Sequence, residues 1–131
     1  MLKPAAKRNV FRLTIVSLVL TVCGCGDGLG PVDPEAARNT LTKALDAWKG
    51  GSQPSALSQQ EPPIVVSDLF WESGRKLVSY KVTGQGTADS RGNLRVPVTL
   101  TLQAPKQPET FAATYIVTVS PKMTVFREYQ D

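Results

Sequence analysis

From Arg75 onward the apolar positions recur with a period of two. Val78, Tyr80 and Val82 alternate with Ser79, Lys81 and Thr83, and Leu94, Val96, Val98, Leu100 and Leu102 alternate with Arg95, Pro97, Thr99 and Thr101. Phe111, Ala113, Tyr115, Val117 and Val119 repeat the pattern against Ala112, Thr114 and Thr118, and Met123, Val125 and Tyr129 continue it after Ser120-Pro121-Lys122. Alternation of this kind predicts strands with one buried face, and hence an antiparallel sheet. Asp89-Ser90-Arg91-Gly92-Asn93 reads as a hairpin turn, and 104–110 as a longer polar loop. Pro97 has no N–H for a ladder, so it is expected at an edge or a bulge. Gly84-Gln85-Gly86 reads as a strand end or bulge.

Upstream, the period is helical. Ala37, Leu41, Ala44, Leu45 and Trp48 form one apolar stripe, with Arg38, Thr42, Lys43, Asp46 and Lys49 mostly on the other side. Asp33 is placed to cap this helix, Pro34 to open it and Gly50-Gly51 to end it. A second short helix is predicted at Gln53–Leu57, an extended segment at Ile64-Val65-Val66, and an aromatic-bearing turn at Asp68–Gly74. The predicted body is therefore α+β. One N-terminal helix is expected to lie across a curved, four-stranded antiparallel sheet.

Residues 1–24 have a different character. A basic stretch, MLKPAAKRNVFR, precedes ten mostly apolar residues from Leu13 to Val22, and small residues follow. This is the three-part layout of a secretory signal, and the apolar run is too short for a transmembrane span. Both cysteines of the chain, Cys23 and Cys25, lie just after it. Two thiols in Cys-X-Cys spacing cannot complete a structural zinc site, and a redox pair needs one more intervening residue. Val22-Cys23-Gly24-Cys25 instead resembles the lipobox of bacterial lipoprotein precursors, with an aliphatic residue at −3, a small residue at −2, Gly at −1 and the modified cysteine next. The resemblance implies cleavage before Cys25 and diacylglycerol on its thiol. Acyl chains there would give stable membrane anchoring. The organisation expected is a signal peptide over 1–24, a Gly- and Pro-rich tether over 25–32 and one α+β domain over 33–131. The expected location is the bacterial cell envelope, facing the periplasm or the cell exterior.

Charge supports this division. The 131-residue chain has 15 Lys and Arg against 11 Asp and Glu. Lys3, Lys7, Arg8 and Arg12 all precede the apolar run, and without these four the count is 11 against 11. A neutral body offers no basic footprint for nucleic acid. The chain has no histidine, so it lacks Ser-His-Asp and Cys-His pairs and the commonest metal ligand. No metal, cofactor or catalytic set is expected.

The element order is similar to the cystatin-like architecture, including the small nuclear-transport-factor-like cone in which a curved sheet wraps an N-terminal helix. Enzymes of the cone-shaped group include isomerases and dehydratases with an Asp or His base in the pocket. That resemblance directs attention to Asp46, Asp68 and Glu72. Asp46 falls on the helix's polar side and reads as a solvated charge. Asp68 and Glu72 flank Phe70 and Trp71, where a carboxylate near aromatics could carry a raised pKa. Asp68 could equally cap a turn over aromatics that fill the core. Trp48, Trp71 and Tyr80 could line a pocket in the concave sheet or simply pack in the core. Two functions follow. One is a lipid-anchored, non-enzymatic domain that binds an envelope protein partner, with the membrane reached through Cys25. The other is a small-molecule-binding or isomerase-like cone with Asp68, Glu72 and Tyr80 near its mouth.

Overall fold

A computed structural model of the chain describes residues 30–129, so the signal segment, Cys25 and most of the expected tether lie outside the described residues. Helix α1 runs Pro34–Lys49, with the Asp33 carboxylate accepting from the amides of Glu35 at 3.0 Å and Ala36 at 3.3 Å. The whole predicted stripe is buried, together with Thr40, whose hydroxyl donates to the Ala36 carbonyl at 2.9 Å. Gly51 lies beyond the C-terminal cap at φ +90°, a conformation that favours glycine. Val32, in the stretch read as tether, is buried with the core.

Helix α2 (Pro54–Ser58) buries Leu57 in the core and packs chiefly on strand β1 (Ile64–Ser67), into which it leads. The aromatic-bearing turn is a short helix, α3 (Leu69–Glu72), capped by Asp68. Strands β2 (Leu77–Val82), β3 (Thr87–Ala88), β4 (Asn93–Leu102), β5 (Glu109–Thr118) and β6 (Met123–Arg127) follow.

The sheet differs from the expected four antiparallel strands. It is a curled, open, mixed sheet of six strands in the order β1-β6-β5-β4-β2, with β3 also paired to β4. The extra strand is β1, which pairs in parallel with β6 (Ile64 opposite Met123, Ser67 opposite Phe126). A parallel partner distant in sequence carries no hairpin signal, which is why a run of only four residues passed as merely extended. The β4–β5 ladder follows the predicted hairpin, Asn93 opposite Thr118 through Leu102 opposite Glu109.

Two positions fall out of step. A register shift between Leu77 and Ser79 buries Leu77 and leaves Val78 44% exposed, although its alternation had placed it with Tyr80 on the core side. Pro97 lies in β4 inside the sheet, opposite Thr114 of β5. Its missing N–H faces the break between β2 and β3, where the Thr83 amide donates to the Pro97 carbonyl at 3.0 Å. The edge-like environment that proline requires is thus supplied locally. Gly84 admits the Pro97 ring, since a Cβ there would lie 3.0 Å from Pro97 Cγ.

α1 lies against β1, β2, β4, β5 and β6. Its stripe meets the inward side chains of β4 (Leu94 to Leu102) and of β5 (Ala113, Tyr115, Val117), all in one core cluster. Each fully buried Leu or Val side chain in this interface stabilises by about 1.5–3 kcal/mol.

Candidate functional site

α3 brings three of the expected residues, Asp68, Trp71 and Glu72, into one turn of helix. Trp71 packs flat against Trp48 of α1, with ring centroids 5.3 Å apart and planes 6° from parallel. Both indole N–H groups are used. Trp48 donates to the Arg75 carbonyl and Trp71 to the Ser52 carbonyl, each at 2.8 Å. The pair closes the sequence around Gly50–Gly51 onto the loop after α3, and a cleft of only about 90 Å³ remains beside it. A small-molecule site is usually several hundred Å³. Trp48 and Trp71 are therefore core packing with their polar edges satisfied.

Asp68 is completely buried. Its Oδ1 accepts from the amides of Phe70 at 2.9 Å and Trp71 at 3.4 Å, the capping geometry of a helix start. Its Oδ2 accepts from the Tyr115 hydroxyl at 2.6 Å, a charge-assisted bond. The Arg127 guanidinium completes the set, with Nη1 3.6 Å from Oδ1 and a side chain 9% exposed. Arg127 is also layered on aromatic faces, its Cζ 4.0 Å from the Phe70 ring centroid and 5.6 Å from that of Tyr129. Arg75 extends the layer, with its Cζ 4.9 Å from Phe70 and 5.3 Å from Phe111, while pairing with Glu109 at 3.1 Å.

Burial pushes the Tyr115 hydroxyl well above the ordinary phenol range, and the Asp68 charge beside it adds to the shift. That group holds its proton and acts as a fixed donor. Both Asp68 oxygens accept bonds from the fold itself. A general base must have a lone pair aimed at a substrate proton, and reaching one here would mean releasing the α3 cap or Tyr115.

The other expected residues stand apart. Glu72 is exposed at the end of α3. Tyr80 projects from β2 to α1, where its hydroxyl donates to Asp46 at 2.6 Å. Partial burial, and then the Asp46 carboxylate, raise that phenol to about 12. Asp46 therefore has a partner across the helix–sheet interface instead of standing as a solvated charge alone. Cys25 lies outside the described residues.

Tyr115, Arg127 and Tyr129 were not singled out by the sequence. Tyr115 sits on the inward face of an alternating strand and reads as core. Arg127 closes the last strand and Tyr129 follows it, with no motif around them. The one available signal was the parity that Arg127 shares with Val125, which places it on the core side of β6.

An open cleft of about 400 Å³ borders Arg127 and Tyr129 beside Pro97, Ala112 and Thr114, and two apolar features also lie on the surface. Leu69 is 62% exposed, Tyr129 47% and Phe126 40%. Leu69 and Tyr129 are linked, because the Leu69 amide donates to the Tyr129 hydroxyl at 2.6 Å. They follow the C-terminal ends of the parallel strands β1 and β6, so they mark one end of the sheet. At the other end an apolar groove of about 570 Å³ runs between the segment before β1 and the β5–β6 turn. Among the described residues no group of three or more His, Cys, Asp and Glu could hold a metal, and no helix is long and apolar enough to cross a membrane. Compared with protein-family models, curated proteins and solved structures, the chain matches none of them.

Proposed function

We propose that this chain is a lipid-anchored domain of the bacterial cell envelope, processed and acylated at Cys25, and that it acts by binding a protein partner and not by catalysis. The lipobox at Val22–Cys25 supports the anchor, and the neutral body argues for a partner other than nucleic acid. The observation that carries the non-enzymatic reading is Asp68. The carboxylate best placed to be a base is fully buried and has both oxygens bonded to the α3 amides and Tyr115. The helix-filled concave side, with its stacked Trp48 and Trp71, supports a cystatin-like fold whose interior is core and not a pocket.

The partner-binding surface we favour is the end of the sheet carrying Leu69, Phe126 and Tyr129. Exposed apolar side chains grouped at one end of a small domain are typical of interaction sites. Crosslinking from position 69 in intact envelopes tests this. A discrete crosslinked species that is lost when Phe126→Asp is introduced beside the label supports the proposal. A small molecule that raises the melting temperature of the wild type and not of Asp68→Asn would overturn it in favour of the cone with a pocket carboxylate.

A further inference from the structure

The apolar groove opposite the Leu69 end has a definite relation to the anchor. The strand starts Ile64, Asn93 and Met123 and the strand end Thr118 lie together, because Ile64 pairs with Met123, Asn93 with Thr118 and Thr118 with Thr124. The described chain begins at this same end. The Gly30 carbonyl oxygen lies 3.3 Å from where a Cβ on Gly92 would stand, one residue before Asn93. From the start of β4 to that of β6 is two strand spacings, about 10 Å. Cys25 is five residues before Gly30, so even a fully extended connection spans no more than about 18 Å. A lipid on Cys25 therefore keeps a bilayer within a short reach of this end of the domain.

The groove has the composition to meet that surface. Pro62, Pro63, Val65, Val119, Pro121 and Met123 line it, and Val65 is 43% exposed. Three of these residues are prolines, which bring no backbone N–H that would be left unpaired on leaving water. Lys122 stands at the lip, where a long side chain can bury its stem and keep its ammonium among head groups. Exposed Glu61 beside Pro62 offsets that charge, so the attraction is apolar and not electrostatic.

We propose that the groove lined by Pro62, Val65 and Pro121 docks on the phospholipid bilayer that holds the Cys25 lipid, which turns the Leu69–Tyr129 end away from the membrane toward its partner. This rests on the anchor reading above. The test uses full-length lipidated protein in phosphatidylethanolamine–phosphatidylglycerol vesicles, with a nitroxide on Val65→Cys or, separately, on Leu69→Cys. Both positions are exposed, so the labels leave the core intact. The expected result is a several-fold higher ratio of oxygen to nickel-complex collisions at position 65 than at 69, unchanged by added salt. Equal ratios at the two positions in protein whose Cys25 is acylated by mass would overturn the docking and leave the anchor standing. Spin–spin broadening at position 65 would overturn it too, by placing a second copy of the chain in the groove. A mass without lipid on Cys25 would overturn the anchor reading and this proposal with it.

Discussion

Replacing Tyr115 by Phe removes a single buried hydroxyl and keeps the ring that fills the core. The hydroxyl donates at 2.6 Å to a fully buried carboxylate, so the bond is short, charge-assisted and shielded from water. Hydrogen bonds to charged groups contribute about 1.5–3 kcal/mol, and this site belongs at the upper end because Asp68 Oδ2 would be left without its donor. The expected loss for Tyr115→Phe is therefore about 2–3 kcal/mol. For a domain of this size, each kcal/mol corresponds to about 4–8 °C in melting temperature. Asp68→Ala should cost more, about 4–6 kcal/mol, because it also removes the α3 cap and leaves the Arg127 guanidinium buried without its counter-charge. In the double variant, Tyr115→Phe should cost little more than Asp68→Ala alone, since the bond is already gone. The coupling should be at least about 1.5 kcal/mol. Urea unfolding followed by the fluorescence of Trp48 and Trp71 measures all four forms. A Tyr115→Phe loss below about 0.5 kcal/mol, or additive losses in the double variant, would refute the view of Asp68 as a saturated structural centre.

Three further outcomes follow from the same geometry. Gly86→Ala should destabilise by about 1–3 kcal/mol, because Gly86 has φ +92° and a Cβ there would lie 2.9 Å from Leu94 Cγ and 3.1 Å from the Arg95 carbonyl, and a thermal melt measures it. Stability should fall at alkaline pH. The Tyr80 phenol ionises near 10 when unfolded and at about 12 when folded, so the unfolded chain releases its proton first and the stability it gives below pH 10 is lost on the way to 12. Tyr115, also raised, acts in the same direction, and urea midpoints across this range should slope less in Tyr80→Phe and less again in Tyr115→Phe. Glu72→Ala should change stability by less than about 0.5 kcal/mol and leave partner crosslinking intact, since its side chain is exposed at the end of α3.

The parts of the fold legible in the sequence are those written in local chemistry. Asp33, Pro34 and Gly50-Gly51 delimit α1 from within three residues of each end, and the stripe from Ala37 to Trp48 names its buried face. The β4–β5 hairpin is legible because alternation persists over ten residues on both strands. What escaped depends on distant partners. β1 becomes a strand only by pairing in parallel with β6, nearly the whole sheet later in the chain. Val78 leaves the core through a bulge that no single residue announces. At the candidate site, the capping role of Asp68 was visible as one of two readings, since an aspartate before a turn often accepts from the next amides. Its bond to Tyr115 was not, because the two residues are 47 positions apart and a tyrosine on an inward strand position looks like packing alone. Trp48 and Trp71 were open to two readings, lining a pocket in the concave sheet or packing in the core, and the choice depended on their stacking, which spacing does not encode.

Acylation of Cys25 is the central event in the proposed anchoring. Intact-mass and peptide mass spectrometry of the protein extracted from its membrane fraction reads that event directly. The mature chain should begin at Cys25 and carry diacylglycerol on its thiol, with residues 1–24 absent. A chain retaining Met1–Gly24 with an unmodified Cys25 would contradict the anchor, the envelope location and the orientation derived from them.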